Sequence, residues 1–399
     1  MRIKQIALAI FSVSVTGSAL AGGFSLSEQS VSAMGTANAG RASNAQDASV
    51  VYNNPAAMHL LKQAQFTQAV AFIDAQTKIK NATGGIGGGT NEGDIVPHTF
   101  IPSGYFTSGD KGGWAWGVAA YGSYGLKTNH EATYAARYLG DKSSVKVTTI
   151  QPTISYKVND KVSVGFGPTI NKLDAYLSKF GGPAAGQVEL EGDDIGYGFN
   201  VGTHINVSPA TQVGVVYRSK VKYKIDDGTL KAAAIPVTVT ASTGLSTPES
   251  VEVALSHKLN AKTTLHAGST WTRWSRFKEL AVTSTALGNS VEIFNWKDSV
   301  GYSVGVTHAV CDKLELRAGL AYDNSPVAPA DRSVRLPSAD RRVASIGAGY
   351  KLSPTQTIDA SYTYLDEEKA EVRHAAAPAY SADFHNRASV YGLQFTQKF

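Results

Sequence analysis

The sequence predicts an all-β protein, a 14-stranded antiparallel transmembrane β-barrel with an amino-terminal plug inside its lumen. Three observations predict it. From Ala64 onward, segments of nine to fifteen residues alternate in polarity. The breaks between them come in two sizes that themselves alternate, and the last segment ends on an aromatic residue, Phe399.

Before the strands comes a processing signal. Arg2 and Lys4 precede the apolar run "IALAIFSVSV", and Ala19 and Ala21 form a small-residue cleavage site, so removal after Ala21 is expected and residues 1–21 are set aside as a signal peptide. The run is too short to anchor the chain as a spanning helix. No other stretch approaches the roughly 20 apolar residues such a helix needs, which leaves a soluble exported protein or a barrel. The formal charge of +5 falls to +3 without Arg2 and Lys4, and the basic residues are scattered, so no nucleic-acid partner is expected. The lone Cys311 has no intramolecular partner, so stability must come from backbone pairing and packing.

Residues 22–63 precede the first strand and do not alternate. They carry Gly35, Gly40 and Asn53-Asn54-Pro55. With the strands accounting for the wall, the economical place for this segment is inside the lumen, because barrels of this strand number are wide enough to conduct water or need filling.

The wall follows over residues 64–399. Six short breaks, "SGDKGG" (108–113), "ND" (159–160), "SPAT" (208–211), "LNAK" (259–262), "VCDK" (310–313) and "LSPT" (352–355), are rich in turn formers. Between them lie seven longer polar stretches, roughly 77–97, 126–143, 178–193, 226–246, 275–293, 323–340 and 366–384, and these thirteen connections imply fourteen strands. Short turns at one end and long loops at the other match an outer-membrane barrel, whose closure removes the edge strands that lipid could not satisfy. Val162, Val164, Phe166, Pro168 and Ile170 share one face and Ser163, Gly165, Gly167 and Thr169 the other. The same parity sets Trp296, Val300, Tyr302, Val304 and Val306 outward and Lys297, Ser299, Gly301, Ser303 and Gly305 inward, with Trp271, Trp274 and Trp296 as interface girdle residues. The last strand puts Tyr391, Leu393, Phe395 and Phe399 on one face. A soluble sandwich or solenoid would explain the alternation but not the two loop sizes or the terminal aromatic.

Several segments, in order, resemble one family. "GGFSLSEQSVSAMGTANAGRASNAQDASVVYNNPAAM" is similar to the hatch of the FadL-type long-chain fatty acid and hydrocarbon channels; "YGLKT" (124–128), "TWTRWSRFKELAVTST" (270–285), "WKDS" (296–299) and "LAYDNSPVAPADRSVRLPSADRR" (320–342) resemble its later segments. The resemblance implies a hatch at the periplasmic end of the lumen and a lateral wall opening at an inward kink of the third strand, beside Asn54-Pro55-Ala56. Within that strand, Gly117, Gly122 and Gly125 are where a kink could sit, since strand glycines often mark bulges. Asn54-Pro55-Ala56 is equally compatible with a turn capping a short helix "PAAMHLL".

The implied ligand is a long-chain fatty acid, entering by ligand-gated passive diffusion, with aromatic or other hydrophobic hydrocarbons as the alternative. Strand parity turns Lys179 and Lys297 inward near the extracellular end, and by approximate alignment they match basic residues that the family uses to hold a carboxylate; each could also be an ordinary lumen lysine. A bulge in "PTINKLDAYLSK" would flip Lys179. Many inward residues are Ser, Thr, Gly and Asn, so an apolar tunnel would need Phe24, Leu26, Val50, Val51, Met58, Leu173 and Leu177 and the loops. The implied partners are this ligand, outer-membrane lipid, and the barrel assembly machinery through the strand ending in Phe399, with bacterial outer-membrane localisation.

Two further classes compete with the channel. An aqueous porin usually carries clustered charges at a constriction and no plug. An outer-membrane hydrolase would need a nucleophile constellation, yet His204, His257, His266 and His308 are single strand residues, no G-x-S-x-G elbow occurs, and "GGIGGG" (84–89) lacks the Lys-Ser/Thr of a phosphate loop. No enzyme activity, cofactor or metal is expected.

Overall fold

The computed structural model describes residues 22–284 and 288–399; the expected signal peptide and its cleavage point lie outside them. The strand segments merge into fourteen wall strands, all antiparallel to their neighbours. They are β1 (Gln65–Gly84), β2 (Thr99–Thr107), β3 (Trp114–Asn129), β4 (Lys142–Lys157), β5 (Val162–Phe180) and β6 (Gln187–Asn206). Four interrupted strands follow: β7 (Thr211–Arg218, Val221–Ala232), β8 (Ile235–Thr247, Ser250–Lys258), β9 (Thr263–Thr272, Glu279–Ser284) and β10 (Gly288–Ile293, Ser299–Ala309). β11 (Leu314–Asp323), β12 (Arg341–Ser353), β13 (Gln356–Glu367) and β14 (Tyr380–Lys398) complete the wall, and a short strand, Ala370–His374, pairs onto the outer end of β14.

β14 pairs with β1 from Gln65↔Lys398 to Gly84↔Tyr380, so the sheet closes on itself. All six short breaks fall where expected. Three of the long ones do not: 178–193, 226–246 and 275–293 are largely strand, because β5 to β10 continue as paired ribbons well past the 9–11 residues that cross a bilayer. The count of fourteen survives, since each ribbon is still one hairpin.

The β5 parity is met: Val164, Phe166 and Ile170 are exposed and Ser163, Thr169 and Asn171 are buried. The outward band carries Trp114, Trp116, Phe100, Tyr302, Tyr350 and Tyr391. Trp274 and Trp296 are not part of it. Both are buried in the lumen, because β7 to β10 are interrupted in one row, at 219–220, 248–249, 273–278 and 294–298. Pro248 offers no amide to the ladder, Asn295 takes a left-handed backbone (φ 46°), and a short 3-10 turn at Trp274–Arg276 fills the gap in β9. Past such a break, the alternation no longer tells inside from outside.

Residues 22–63 run inside the wall. A one-turn helix α1 (Val31–Met34) packs against β12 to β14, and α2 (Val50–Asn53) leads into a 3-10 helix, Pro55–Leu60, against β4 to β6. The expected cap is present: the Asn54 side-chain oxygen accepts the Ala56 amide (3.0 Å). Gly165 and Gly202 make this fit possible, since a Cβ at either would run into Asn54-Pro55-Ala56.

Candidate functional site

Three of the spaces inside the wall lie in series. Toward the outer end, a cavity of about 690 Å³ lies between the ribbon tops and the 324–340 loop, lined by Leu177, Lys179, Leu190, Leu280, Arg332 and Arg335. That volume lies within the range of ordinary small-molecule sites, 300–1,000 Å³ roughly. Below it, an apolar tunnel of only about 70 Å³ shares Leu177, Leu190, Leu280 and Arg335 with the mouth and adds Phe24, Leu173, Ile225 and Trp296. Beneath that, a cavity of about 220 Å³ lies between the amino-terminal segment and the wall, lined largely by hydroxyl and amide side chains together with Glu28, Arg41, Arg218 and Glu252.

Phe24 stands between the tunnel and the lower chamber. Its ring meets Trp274, Phe277, Tyr124 and Trp296 at centroid distances of 4.8, 5.6, 5.8 and 5.8 Å. The row of wall breaks delivers this box by turning Trp274, Phe277, Phe294 and Trp296 inward together. Gly22 abuts Asp323 of β11, so the start of the segment is held against a wall carboxylate.

The predicted residues sort as follows. Phe24, Leu173 and Leu177 all line the tunnel. Lys179 faces the mouth cavity, because the β5 register runs unbroken against β6 from Val162 to Phe180 and no bulge flips it. Lys297 does not join it: the interruption at Asn295 turns Trp296 inward and leaves Lys297 exposed. The second cation at the tunnel entrance is Arg335, buried, with Nε donating to Glu292 (3.2 Å) and Nη1 to the Lys142 carbonyl and the Ser143 hydroxyl (3.1 and 3.0 Å). Sequence reasoning passed over it because a loop arginine carries no parity signal.

The third strand has its irregularity at Ser123, next to Gly122, where the β3–β4 register shifts between Gly122 and Tyr124. Gly125 pairs regularly with Lys146, and Gly117 lies at the foot, where Val51 and Met58 leave no room for a side chain. At the same height the wall opens. β2 pairs with β3 only from Gly104↔Ala120 to Thr107↔Gly117, and among the described residues no ladder pair joins Thr99–Ser103 to β3 above it. The amino-terminal segment fills the gap. Leu26 donates its amide to the Ser123 carbonyl (3.1 Å) and Phe24 accepts the Gly125 amide (2.9 Å).

Gln29 spans the gap. Its Nε2 donates to the Gly122 carbonyl (2.9 Å), and its own carbonyl accepts from the Ser103 and Tyr105 hydroxyls (3.2 and 2.5 Å). Leu26 and Met34 pack beside it with Ala69, Ala71, Ile73 and Ile101, an apolar patch along the seam. Asn54 lies farther round the wall. Its Nδ2 donates to the carbonyls of Ala42 (2.6 Å) and Thr203 (3.1 Å). The Ser155 and Ser163 hydroxyls donate to the Ala56 carbonyl (3.2 and 2.8 Å). Asn54-Pro55-Ala56 is thus fixed to β4, β5 and β6 rather than to the seam itself.

The histidines belong to the packing. His204 Nε2 donates to the Ser43 carbonyl (3.2 Å). His266 has a serine partner, with Ser256 Oγ at 2.8 Å, but its other nitrogen meets the Thr307 hydroxyl (3.0 Å) instead of a carboxylate. His257 and His308 each meet a neighbouring threonine, at 2.9 and 3.0 Å.

A closed fourteen-stranded wall with an apolar outward band and a lumen closed by its own amino-terminal segment defines an outer-membrane channel barrel. Residues 12–399 match the family described as outer membrane protein transport protein (OMPP1/FadL/TodX), and the chain belongs to that family. It is similar over its whole length to outer membrane protein P1 of Haemophilus influenzae, 26% identical with 100% of each chain covered. It is 25% identical to the long-chain fatty acid transport protein of Escherichia coli K12, with 98% of each covered. Among solved structures, a Pseudomonas aeruginosa FadL homologue superposes with a TM-score of 0.85 at 22% identity, covering 95% of this chain and all of the other. The Pseudomonas putida toluene transporter TodX gives 0.67 at 15% identity, covering 94% and 99%.

Proposed function

We propose that this chain takes up long-chain fatty acids across the outer membrane by ligand-gated passive diffusion, with lateral exit between β2 and β3. The observation that carries the reading is the seam itself: the ladder ends at Gly104↔Ala120, beside the Ser123 bulge, and the amino-terminal segment bridges it. The ligand enters at the mouth, where Lys179 and Arg335 flank the top of an apolar tunnel and offer charge-assisted contacts to a carboxylate. Residues 22–63 act as the hatch, and displacing Phe24 joins the tunnel to the chamber below. The tail gains roughly 0.8 kcal/mol per buried methylene, about 12 kcal/mol for sixteen, so transport needs a device that weakens the site. Moving a tunnel-lining hatch residue supplies it.

The naming of the E. coli relative favours the fatty acid. A second reading, uptake of aromatic hydrocarbons, is favoured by the box around Phe24, whose five other rings would stack on an aromatic guest. Growth of a deletion strain complemented with this chain, on long-chain fatty acid or on toluene-like substrates, decides between them. An open porin is disfavoured by the closed box, and no catalytic role is assigned to any residue. The exposed Phe399, one residue past β14, supports recognition by the barrel assembly machinery, and the outward aromatic band supports contact with membrane lipid. Deleting Ser123 restores the β3 register and lets the ladder continue; uptake should then stop while the barrel still assembles. Undiminished uptake by that variant rules out exit through this seam.

A further inference from the structure

The lower chamber holds an ion cluster that the tunnel and the seam do not use. Arg41, from the hatch, grips Glu252 of β8 side-on, Nε to Oε1 at 2.8 Å and Nη2 to Oε2 at 3.0 Å. Arg218, at the β7 interruption, reaches the same carboxylate with Nη1 alone (3.0 Å). Its Nη2 donates to two neutral hatch carbonyls, those of Tyr52 (3.2 Å) and Asn53 (3.3 Å), and its Nε is buried without a partner. Nε and Nη2 form the edge of a guanidinium that takes a carboxylate bidentately, the way Arg41 takes Glu252. On Arg218 that edge is held only by long bonds to uncharged oxygens. The guanidinium also lies over the Tyr52 ring at 4.7 Å, and Tyr52 meets Tyr121 edge-on at 4.7 Å.

We propose that the Nε/Nη2 edge of Arg218 is a second carboxylate station, below the hatch, where the head group of the ligand replaces the Tyr52 and Asn53 carbonyls. This rests on the fatty-acid reading of the mouth and names the part of the ligand that the chamber recognises. Two guanidiniums share one carboxylate at the cluster, so an added anion meets unmatched positive charge. Glu28, the hatch acid on the same cavity, is already held by the Ser27 amide and hydroxyl (2.8 and 2.7 Å), and burial raises its pKa toward the neutral form. Asp323, at the Gly22 side of the chamber, is occupied with the start of the hatch.

The exchange has a mechanical consequence. Tyr52 and Asn53 immediately precede Asn54-Pro55-Ala56, so the arriving carboxylate frees the chain that leads into that element. The apolar side of the same chamber, Leu26 and Met34, borders the seam, so a head held at Arg218 leaves the tail pointing along apolar surface toward the exit. A hydrocarbon has no group that can make the exchange.

The test compares uptake of labelled hexadecanoate and hexadecan-1-ol by a deletion strain expressing the full chain, with surface abundance matched by immunoblot. In Arg218→Gln the acid-to-alcohol uptake ratio should fall about tenfold, the scale of losing one charge-assisted pair. Arg218→Lys, which keeps the charge, should restore most of it. Equal loss of both substrates, or no change in the ratio, overturns the station and leaves the fatty-acid reading standing. Wild-type protein that carries the alcohol but not the acid overturns both.

Discussion

Removing the Phe24 ring tests the hatch directly. In Phe24→Ala the side chain loses contacts with four rings at 4.8 to 5.8 Å, in a site where it is 3% exposed. Truncating a buried Phe costs about 3–5 kcal/mol. Over Phe24–Leu26 the hatch is otherwise joined to β3 by two backbone bonds, Leu26 to Ser123 and Gly125 to Phe24, each worth about 1 kcal/mol net. The ring therefore outweighs the bonds, and without it this segment should leave β3 while the β3–β4 ladder holds. At about 1.4 kcal/mol per decade, a loss of about 3 kcal/mol raises the open population roughly a hundredfold. Hydrogen exchange of the Leu26 and Gly125 amides should accelerate by that order, and planar-bilayer recordings should change from closed to conducting. Exchange within about threefold of wild type, with no conductance, would mean that the hatch is held by contacts elsewhere and that Phe24 is not its closing element.

Two further outcomes follow from the mouth and the outer loops. Lys179→Met should weaken fatty acid binding to purified protein about tenfold, the scale of one lost charge-assisted contact, whereas Lys297→Met, on an exposed side chain, should change it less than about twofold; equal effects would remove Lys179 from the site. His130, in the loop after β3, stacks on Tyr134 at 3.9 Å and donates from Nε2 to the Val334 carbonyl, and burial lowers its pKa from 6.5 to about 4. The unfolded loop binds the proton more readily, so the stabilisation, up to about 3 kcal/mol, is full above pH 6.5 and is lost as pH falls through 4. Hydrogen-exchange protection over residues 130–141, corrected for the intrinsic rate at each pH, should therefore be weaker at pH 4.5 than at pH 7, and equal protection at both would show that His130 does not hold this loop.

The strand count and the β5 face were legible because they depend on local properties, turn residues at regular spacing and an unbroken period of two. Lys179, Leu173 and Leu177 fall where they were expected because β5 keeps its register to Phe180. The misplacement of Trp274, Trp296 and Lys297 has one cause. The row of interruptions across β7 to β10 rests on contacts between distant segments, such as Arg273 and Arg276 closing on Glu249 and the Tyr124 hydroxyl donating to the Pro248 carbonyl. A period-2 argument carried across such a row inverts. The register shift in β3 could not be assigned to one residue from the sequence, because a bulge requires no particular side chain; here hatch bonds to Gly122, Ser123 and Gly125 hold it.

The polar lumen residues, which had argued against an apolar tunnel, take their meaning from height along the barrel. Residues on one inward face change character along a single strand: on β5, Ser163, Thr169 and Asn171 lie low, and Leu173 and Leu177 lie above them at the tunnel. Low on the wall, Ser155, Ser163 and Gln151 bond hatch carbonyls, and Thr149 bonds Ser123 at the bulge. A uniformly apolar lumen would bind a sixteen-carbon tail by about 12 kcal/mol along its whole length and offer nowhere for release. It would also leave the hatch backbone unpaired, at a cost of about 1–3 kcal/mol for each buried group. One arrangement meets both demands: mainly hydroxyls and amides where the hatch must dock and the ligand must be let go, and a cluster of leucines where the tail is to be held. In the proposed pathway the Ser, Thr and Asn of the inward faces are therefore the release half of the channel.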